Sequence, residues 1–182
     1  MKKNIIFLDR DGVINIDKSY LYRWEDFEYS KGAINGLKFL AKFGFEFIII
    51  TNQSGIGRGF YSSKDFDDLS NKMINNLNDH NIRILDIFYC PHYFDGSISS
   101  SIKTCECRKP KPGLFYKARD LYSIDLESSI MVGDKPSDYK AALNAGIKKI
   151  YIIKSKYTDK STLSSKIYLY QDLYEVSRSI IP

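Results

Sequence analysis

The chain has 182 residues, 43% hydrophobic and 27% charged, with 27 basic against 22 acidic side chains and a formal net charge of +5. That is the length of one ordinary domain, residues 1–182, able to bury a core without metals or disulfides, and the mix excludes a disordered or membrane-spanning protein. The basic excess is scattered, with no block of like charge of the kind that makes a nucleic-acid arm, and it suits a small anionic substrate.

The N-terminal MKKNIIFLDR sets two lysines before an apolar run that stops at Asp9 after five residues. Such a run is too short for a secretory leader and reads as a buried strand. No stretch reaches the ~20 apolar residues of a membrane helix, so a cytoplasmic protein without a membrane partner is expected. Four further runs, FEFIIIT, ILDIFYC, SIMVGD and KKIYIIK, are short and apolar on both faces, as central parallel strands are. Helical patterns lie between them. Gly32 to Phe43 puts Ala33, Leu37, Leu40 and Ala41 on one face; a second helix, capped by Ser63, carries Phe66, Leu69, Met73, Ile74 and Leu77. Pro112 opens a third, a fourth runs from Pro136 and Ser137 to Gly146, and a last one begins near Asp172. Strand and helix in alternation predict an α/β fold, a parallel sheet with helices on both faces. The 14 Tyr and 11 Phe fall mostly in these apolar patterns and are expected to fill the core rather than stack on bases. The segments Asn15 to Lys31 and Pro91 to Cys105 are too long for simple βα turns. Both follow strand ends, at the sheet edge where α/β folds bind ligands.

Chemistry-bearing residues gather at that edge. Asp9 and Asp11 close the first strand, Thr51 and Asn52 the second, and Asp134 a later one, while Arg108-Lys109-Pro110 opens the third helix. Alternate residues of an extended segment point the same way, so Asp9 and Asp11 can face one site, although DxDG alone also describes a solvated turn. Together these groups suit phosphoryl transfer to a carboxylate nucleophile. Two like unit charges ~4 Å apart repel by about 4 kcal/mol at an effective dielectric of 20, so such a site needs cations. Mg²⁺ between Asp9, Asp134 and the phosphate, with Lys109 opposite, supplies them. Thr51 is left to donate to a phosphoryl oxygen and Asp11 to move a proton.

DRDGVIN, TNQSG, RKPKPG and VGDKPSD resemble, in order, the four signatures of haloacid-dehalogenase (HAD) phosphatases. TNQSGIGRG, with CPH and then CxCRKPxPG, is most similar to the heptose 1,7-bisphosphate phosphatase subgroup, and less so to the histidinol-phosphate phosphatases. The resemblance implies a three-layer Rossmann-like fold without a cap domain. It implies hydrolysis of the 7-phosphate of a heptose bisphosphate, on the way to activated heptose for lipopolysaccharide or other surface glycans. It also implies an aspartyl-phosphate on Asp9, with Asp11 as acid and then base, Thr51 and Lys109 on the phosphoryl group, and Mg²⁺ on Asp9, the Asp11 backbone carbonyl and Asp134. Substrate contacts map onto Asp17, Lys18, Ser19 and Tyr20, onto Thr51, Asn52, Gln53 and Ser54, and onto Arg108, Lys109 and Lys135. Ser19 stands where relatives often carry glycine, and Val13 where threonine is frequent. Arg108, with Lys18, is the candidate reader of the 1-phosphate. A small sugar bisphosphate is the implied substrate and a monomer is expected; a zinc-stabilised binding module that lacks the chemistry is the rival class.

All three cysteines, Cys90, Cys105 and Cys107, fall in one segment, a poor disulfide framework. With His92 they make a soft tetrahedral set suited to Zn²⁺; read blandly, Cys90 is a buried strand-end residue and His92 a loop residue. Four protein ligands leave no open position, so this zinc is structural, bracketing the loop of residues 90–107 and fixing the direction in which Arg108 and Lys109 leave it.

Overall fold

A computed structural model describes residues 4–93, 105–158 and 167–181. The centre of the predicted zinc loop, including the SISSS run, and the lysines of the N-terminal signal lie outside them. Among the described residues six parallel strands form one sheet: β1 (Asn4–Leu8), β2 (Phe45–Asn52), β3 (Ile84–Cys90), β4 (Ile130–Gly133), β5 (Lys149–Ile153) and β6 (Leu169–Tyr170). Their order is β3-β2-β1-β4-β5-β6, which makes β1 central with β2 and β4 as its neighbours. The helices are α1 (Ala33–Lys42), α2 (Ser54–Gly57), α3 (Ser63–Asp79), α4 (Gly113–Tyr122), α5 (Pro136–Asn144) and α6 (Leu173–Ile180).

Period-two alternation along the buried strands divides the core into two layers. Ile6, Leu8, Phe47 and Ile49 pack on one face with Leu37 and Leu40 of α1, Met73 and Leu77 of α3, and Leu173 and Val176 of α6. Ile5, Phe7, Ile48 and Ile50 pack on the other with Leu114, Phe115 and Ala118 of α4 and Ala141 and Ala142 of α5. This is the predicted three-layer α/β arrangement.

Four local details depart from the sequence reading. Ser62, not Ser63, caps α3: its hydroxyl accepts from the Asp65 amide at 3.1 Å while the Asp65 carboxylate takes the Ser62 amide at 2.7 Å. Pro112 opens α4 as expected, from its N-cap. The glycine-rich turn after Thr51 contains the one-turn helix α2, and β6 is an additional strand, too brief to carry a periodic signal. The aromatic residues are also less internal than expected, since Tyr20, Phe60, Tyr157, Tyr168 and Tyr174 are exposed.

Candidate active site and metal-ligating clusters

Asp9 follows β1, Thr51 lies near the end of β2 and Asp134 follows β4, so three adjacent strands deliver their polar ends to one place. Asp9, Lys109, Asp134 and Asp138 are all buried there, each 3% exposed or less. The Lys109 ammonium lies 3.0 Å from Asp9 Oδ1 and 2.6 Å from Asp138 Oδ1, and donates to the Ile50 carbonyl at 2.7 Å. Burial disfavours its charge, but Asp138 and Asp9 outweigh that and hold its pKa above the ordinary lysine value. Asn52 fixes this segment by donating to the Lys109 carbonyl and accepting from the Lys109 amide, both at 3.1 Å.

Asp138 is the functional residue that the sequence reading left without a role. Its Oδ2 accepts from the Asp134 and Lys135 amides at 3.1 and 3.0 Å, and its Oδ1 takes Lys109. It thus caps α5 and counterbalances Lys109 at once. In a capping box the third helical residue's side chain returns to the N-cap amide, so Asp138 in KPSD carried a readable signal.

Asp9, Asp134 and Asp138 offer carboxylate oxygens within 4.8 Å of one another. With Asp138 engaged on both sides, Asp9 and Asp134 are the pair left to hold a cation. Both Asp134 oxygens are buried without a hydrogen-bond partner. Burial, then the Asp9 charge, pushes the Asp134 carboxyl up to about 8, and burial likewise raises Asp9 against the opposing pull of Lys109. Three carboxylates thus face the buried Lys109 ammonium, with the partly buried Lys135 3.9 Å from Asp134 Oδ1 as a second cation, and a hard divalent cation suits the negative charge that remains. Gly12 keeps the place open: its φ is +95°, and a Cβ there would sit 2.3 Å from Asp134 Oδ2.

Asp11 turns away from this cluster. The almost fully buried Arg10 donates from its terminal nitrogen to Asp11 at 3.0 and 3.1 Å, Asn15 donates to Oδ1 at 2.9 Å and Gln53 to Oδ2 at 3.0 Å. Burial alone would raise Asp11, but the Arg10 charge and these hydrogen bonds hold it below the usual carboxylate range. Gln53 also donates to the Thr51 hydroxyl at 2.9 Å and accepts from Tyr61 at 2.6 Å, so it spaces Asp11 from Thr51. Arg10, Asn15 and Tyr61 were not singled out from sequence, because side chains this type-diverse show their function only through contacts.

A cavity of about 360 Å³ opens above these groups. Of the expected substrate contacts, Asp17, Ser19, Tyr20, Asn52, Gln53, Ser54, Arg108, Lys109 and Lys135 line it, together with Asp11, Tyr61 and Tyr157. Thr51 lies beneath, buried. Lys18 does not line it: its ammonium rests on the Asp26 carbonyl at 2.9 Å and the Glu28 carboxylate at 3.2 Å. Lys135 meets Asp17 at 3.1 Å across the wall, and Arg108 donates to the His92 carbonyl at 3.2 Å. Ser19 has φ +56°, the left-handed region, which explains why glycine suits that position.

The second cluster also assembles. Cys90, His92, Cys105 and Cys107 bring their sulfur and Nδ1 atoms within 4.8 Å of one another, with Cys105 Sγ 3.5 Å from Cys90, 3.1 Å from His92 and 2.9 Å from Cys107. The cysteines are free thiols. Tetrahedral bonds of ~2.3 Å to sulfur give ligand separations of about 3.5–3.8 Å, so small adjustments would admit a soft ion.

Comparison with known proteins agrees with this geometry. A HAD-hydrolase-like family model matches residues 106–176. A D-glycero-alpha-D-manno-heptose-1,7-bisphosphate 7-phosphatase from Photorhabdus laumondii is 47% identical over 96% of this chain and 98% of its own. The chain belongs to the heptose-bisphosphate phosphatase family of HAD-like hydrolases. Another member of the family, a D-glycero-beta-D-manno-heptose-1,7-bisphosphate 7-phosphatase from Escherichia coli O6:H1, is 44% identical over 78% of this chain and 75% of its own. The D,D-heptose 1,7-bisphosphate phosphatase of B. bronchiseptica, crystallised with magnesium and phosphate, superposes with a TM-score of 0.83 at 27% identity and covers 98% of each chain. Heptose-bisphosphate phosphatases named for either anomer are thus similar to this chain, and identity alone does not choose between them.

Proposed function

We propose that this chain hydrolyses the 7-phosphate of D-glycero-D-manno-heptose 1,7-bisphosphate through an aspartyl-phosphate on Asp9. The observation that carries the chemistry is the buried Asp9–Lys109 pair near the Asp134 carboxylate, whose oxygens accept no hydrogen bond, with Lys109 reaching the wall of a cavity also lined by Arg108 and Lys135. Lys109 and the Arg10 amide, at 2.8 Å, hold one Asp9 oxygen, which leaves the other to attack phosphorus. As the new P–O bond forms, the bond to the sugar 7-oxygen breaks, and Asp11 gives that oxygen a proton. Asp11 rests ionised, so it must first take up a proton; a phosphate dianion ~4 Å away favours this by about 4 kcal/mol at an effective dielectric of 20. Asp11 then removes a proton from the water that attacks the phosphorus, the P–O bond to Asp9 breaks, and inorganic phosphate leaves. Lys109 stays cationic throughout because two carboxylates hold its proton, and Thr51 donates to a phosphoryl oxygen.

Mg²⁺ held by Asp9, the Asp11 carbonyl and Asp134 would neutralise charge on the phosphoryl oxygens. Zn²⁺ held by Cys90, His92, Cys105 and Cys107 would be structural, fixing the backbone that presents Arg108 to the 1-phosphate. Among the described residues no helix is long and apolar enough to cross a membrane. A cytoplasmic monomer supplying heptose 1-phosphate for lipopolysaccharide or related glycans fits these features. The test is phosphate release from both anomers of the bisphosphate and from histidinol phosphate, with Asp9→Asn as control. Turnover of the bisphosphate that Asp9→Asn abolishes is expected; preference for histidinol phosphate, or activity that survives the substitution, would overturn the reading.

A further inference from the structure

Ser19 and Tyr20 both sit in the left-handed region, with φ of 56° and 53°, on the wall of the cavity. Two consecutive non-glycine residues there cost conformational energy and persist only where surrounding contacts hold them. The contacts come from the segment after α2. The Phe60 ring packs edge-on against Tyr20 with centroids 4.7 Å apart, and the Arg58 guanidinium lies 5.8 Å from the Tyr20 ring centroid. The same guanidinium lies over the Tyr93 ring, 3.2 Å from its centroid, and Tyr93 directly follows His92 of the cysteine–histidine cluster. The segment is fastened to that knuckle by its backbone as well, since the Gly57 amide donates to the Pro91 carbonyl at 2.9 Å. A Cβ at Gly57 would stand 2.6 Å from that oxygen, so the approach requires glycine. Arg58 has no carboxylate partner among the described residues.

We infer that Arg58 is a positioning residue, a cationic bridge between Tyr93 of the cysteine–histidine knuckle and Tyr20 of the strained substrate loop that holds the cavity wall in its binding shape. The inference rests on the proposed phosphatase reading but concerns a residue that the reaction itself does not use. It assigns Arg58 to ground-state binding: the bridge orders the loop that surrounds the sugar and leaves the Asp9–Lys109 centre untouched. Loss of one exposed cation–π bridge corresponds to a roughly twofold to fivefold change in binding.

The experiment combines two readouts on Arg58→Ala, Tyr20→Ala and the double variant. The first is hydrogen exchange of the 17–22 segment, which needs no substrate. Faster exchange at Ser19 to Leu21 in Arg58→Ala, with zinc content unchanged, is expected; unchanged exchange overturns the bridge. The second is a kinetic cycle with heptose 1,7-bisphosphate and with p-nitrophenyl phosphate, a monoester that lacks the sugar. Arg58→Ala should raise KM for the bisphosphate about twofold to fivefold with kcat nearly constant, Arg58→Lys should restore part of it, and the double variant should lose no more than the larger single loss. Additive losses, or an equal loss on p-nitrophenyl phosphate, overturn the inference. If the wild-type chain hydrolyses p-nitrophenyl phosphate but not the bisphosphate, the substrate reading fails separately, and hydrogen exchange still decides the bridge.

Discussion

Replacing Lys109 by methionine, which keeps the stem and removes the charge, strands Asp9 and Asp138 in a buried site. The two contacts, at 3.0 and 2.6 Å, are each worth about 5–6 kcal/mol of Coulomb attraction at an effective dielectric near 20. Desolvation of the ammonium offsets much of that, and removing one partner of a buried pair typically costs about 3–5 kcal/mol. Against a total stability of about 5–15 kcal/mol the variant is expected to remain folded but close to its limit. Urea titration followed by circular dichroism at pH 7 should show the midpoint falling by roughly 1–2 M. The penalty has a defined pH dependence. Without Lys109, the Asp9 pKa rises further above its unfolded value, so the loss grows as pH climbs above the ordinary carboxylate range and shrinks as acidification protonates the carboxyl. The double variant Lys109→Met/Asp138→Asn should recover at least half the stability while remaining inactive, because its phosphoryl group still lacks the ammonium. A Lys109→Met protein as stable as wild type at pH 7, or one whose deficit is the same at pH 5, would refute the reasoning.

Metal binding should be proton-linked: Asp134, pushed up to about 8, must ionise to hold a cation, so Mg²⁺ affinity measured by calorimetry should rise with pH up to about 8 and then level. The same raised carboxyl makes the metal-free protein lose stability as pH climbs from about 4 to about 8, a trend that saturating Mg²⁺ should flatten in thermal melts. Cys105→Ser/Cys107→Ser should abolish zinc in metal analysis and lower kcat/KM for the bisphosphate about tenfold or more, with a smaller loss on p-nitrophenyl phosphate. Ser19→Gly should relieve a left-handed backbone at some entropic expense and change stability by less than about 1 kcal/mol in the favourable direction, with activity retained.

The sheet was legible because its signal is redundant: Ile5 to Leu8 and Phe47 to Ile50 are apolar on both faces, which only a doubly covered strand tolerates. The gathering of Asp9, Asp134 and Lys109 at one sheet edge was legible because each sits at a strand end or helix entry that the sequence pattern locates. Ser62 as a cap lay one position from the predicted Ser63, where two adjacent serines give identical local signals. Lys18 was misplaced for a different reason. Its stem reaches either the cavity or the Asp26–Glu28 surface, and only the path of the loop decides between them. Asp138 and Arg10 show the general limit, because partners 29 and 43 residues away in sequence set their roles.

The adjacency of β2, β1 and β4 has a consequence for how the protein would fail. Asp9, Thr51 and Asp134 hang from neighbouring rungs of one ladder, so no local opening can separate them without breaking the sheet itself. The loop bearing Asp17 to Tyr20 and the cysteine–histidine knuckle are held by a few side-chain contacts and single backbone hydrogen bonds. On gradual heating, discrimination among phosphate esters should therefore fade while the capacity to cleave one persists, leaving a less selective hydrolase in the interval before the cooperative transition.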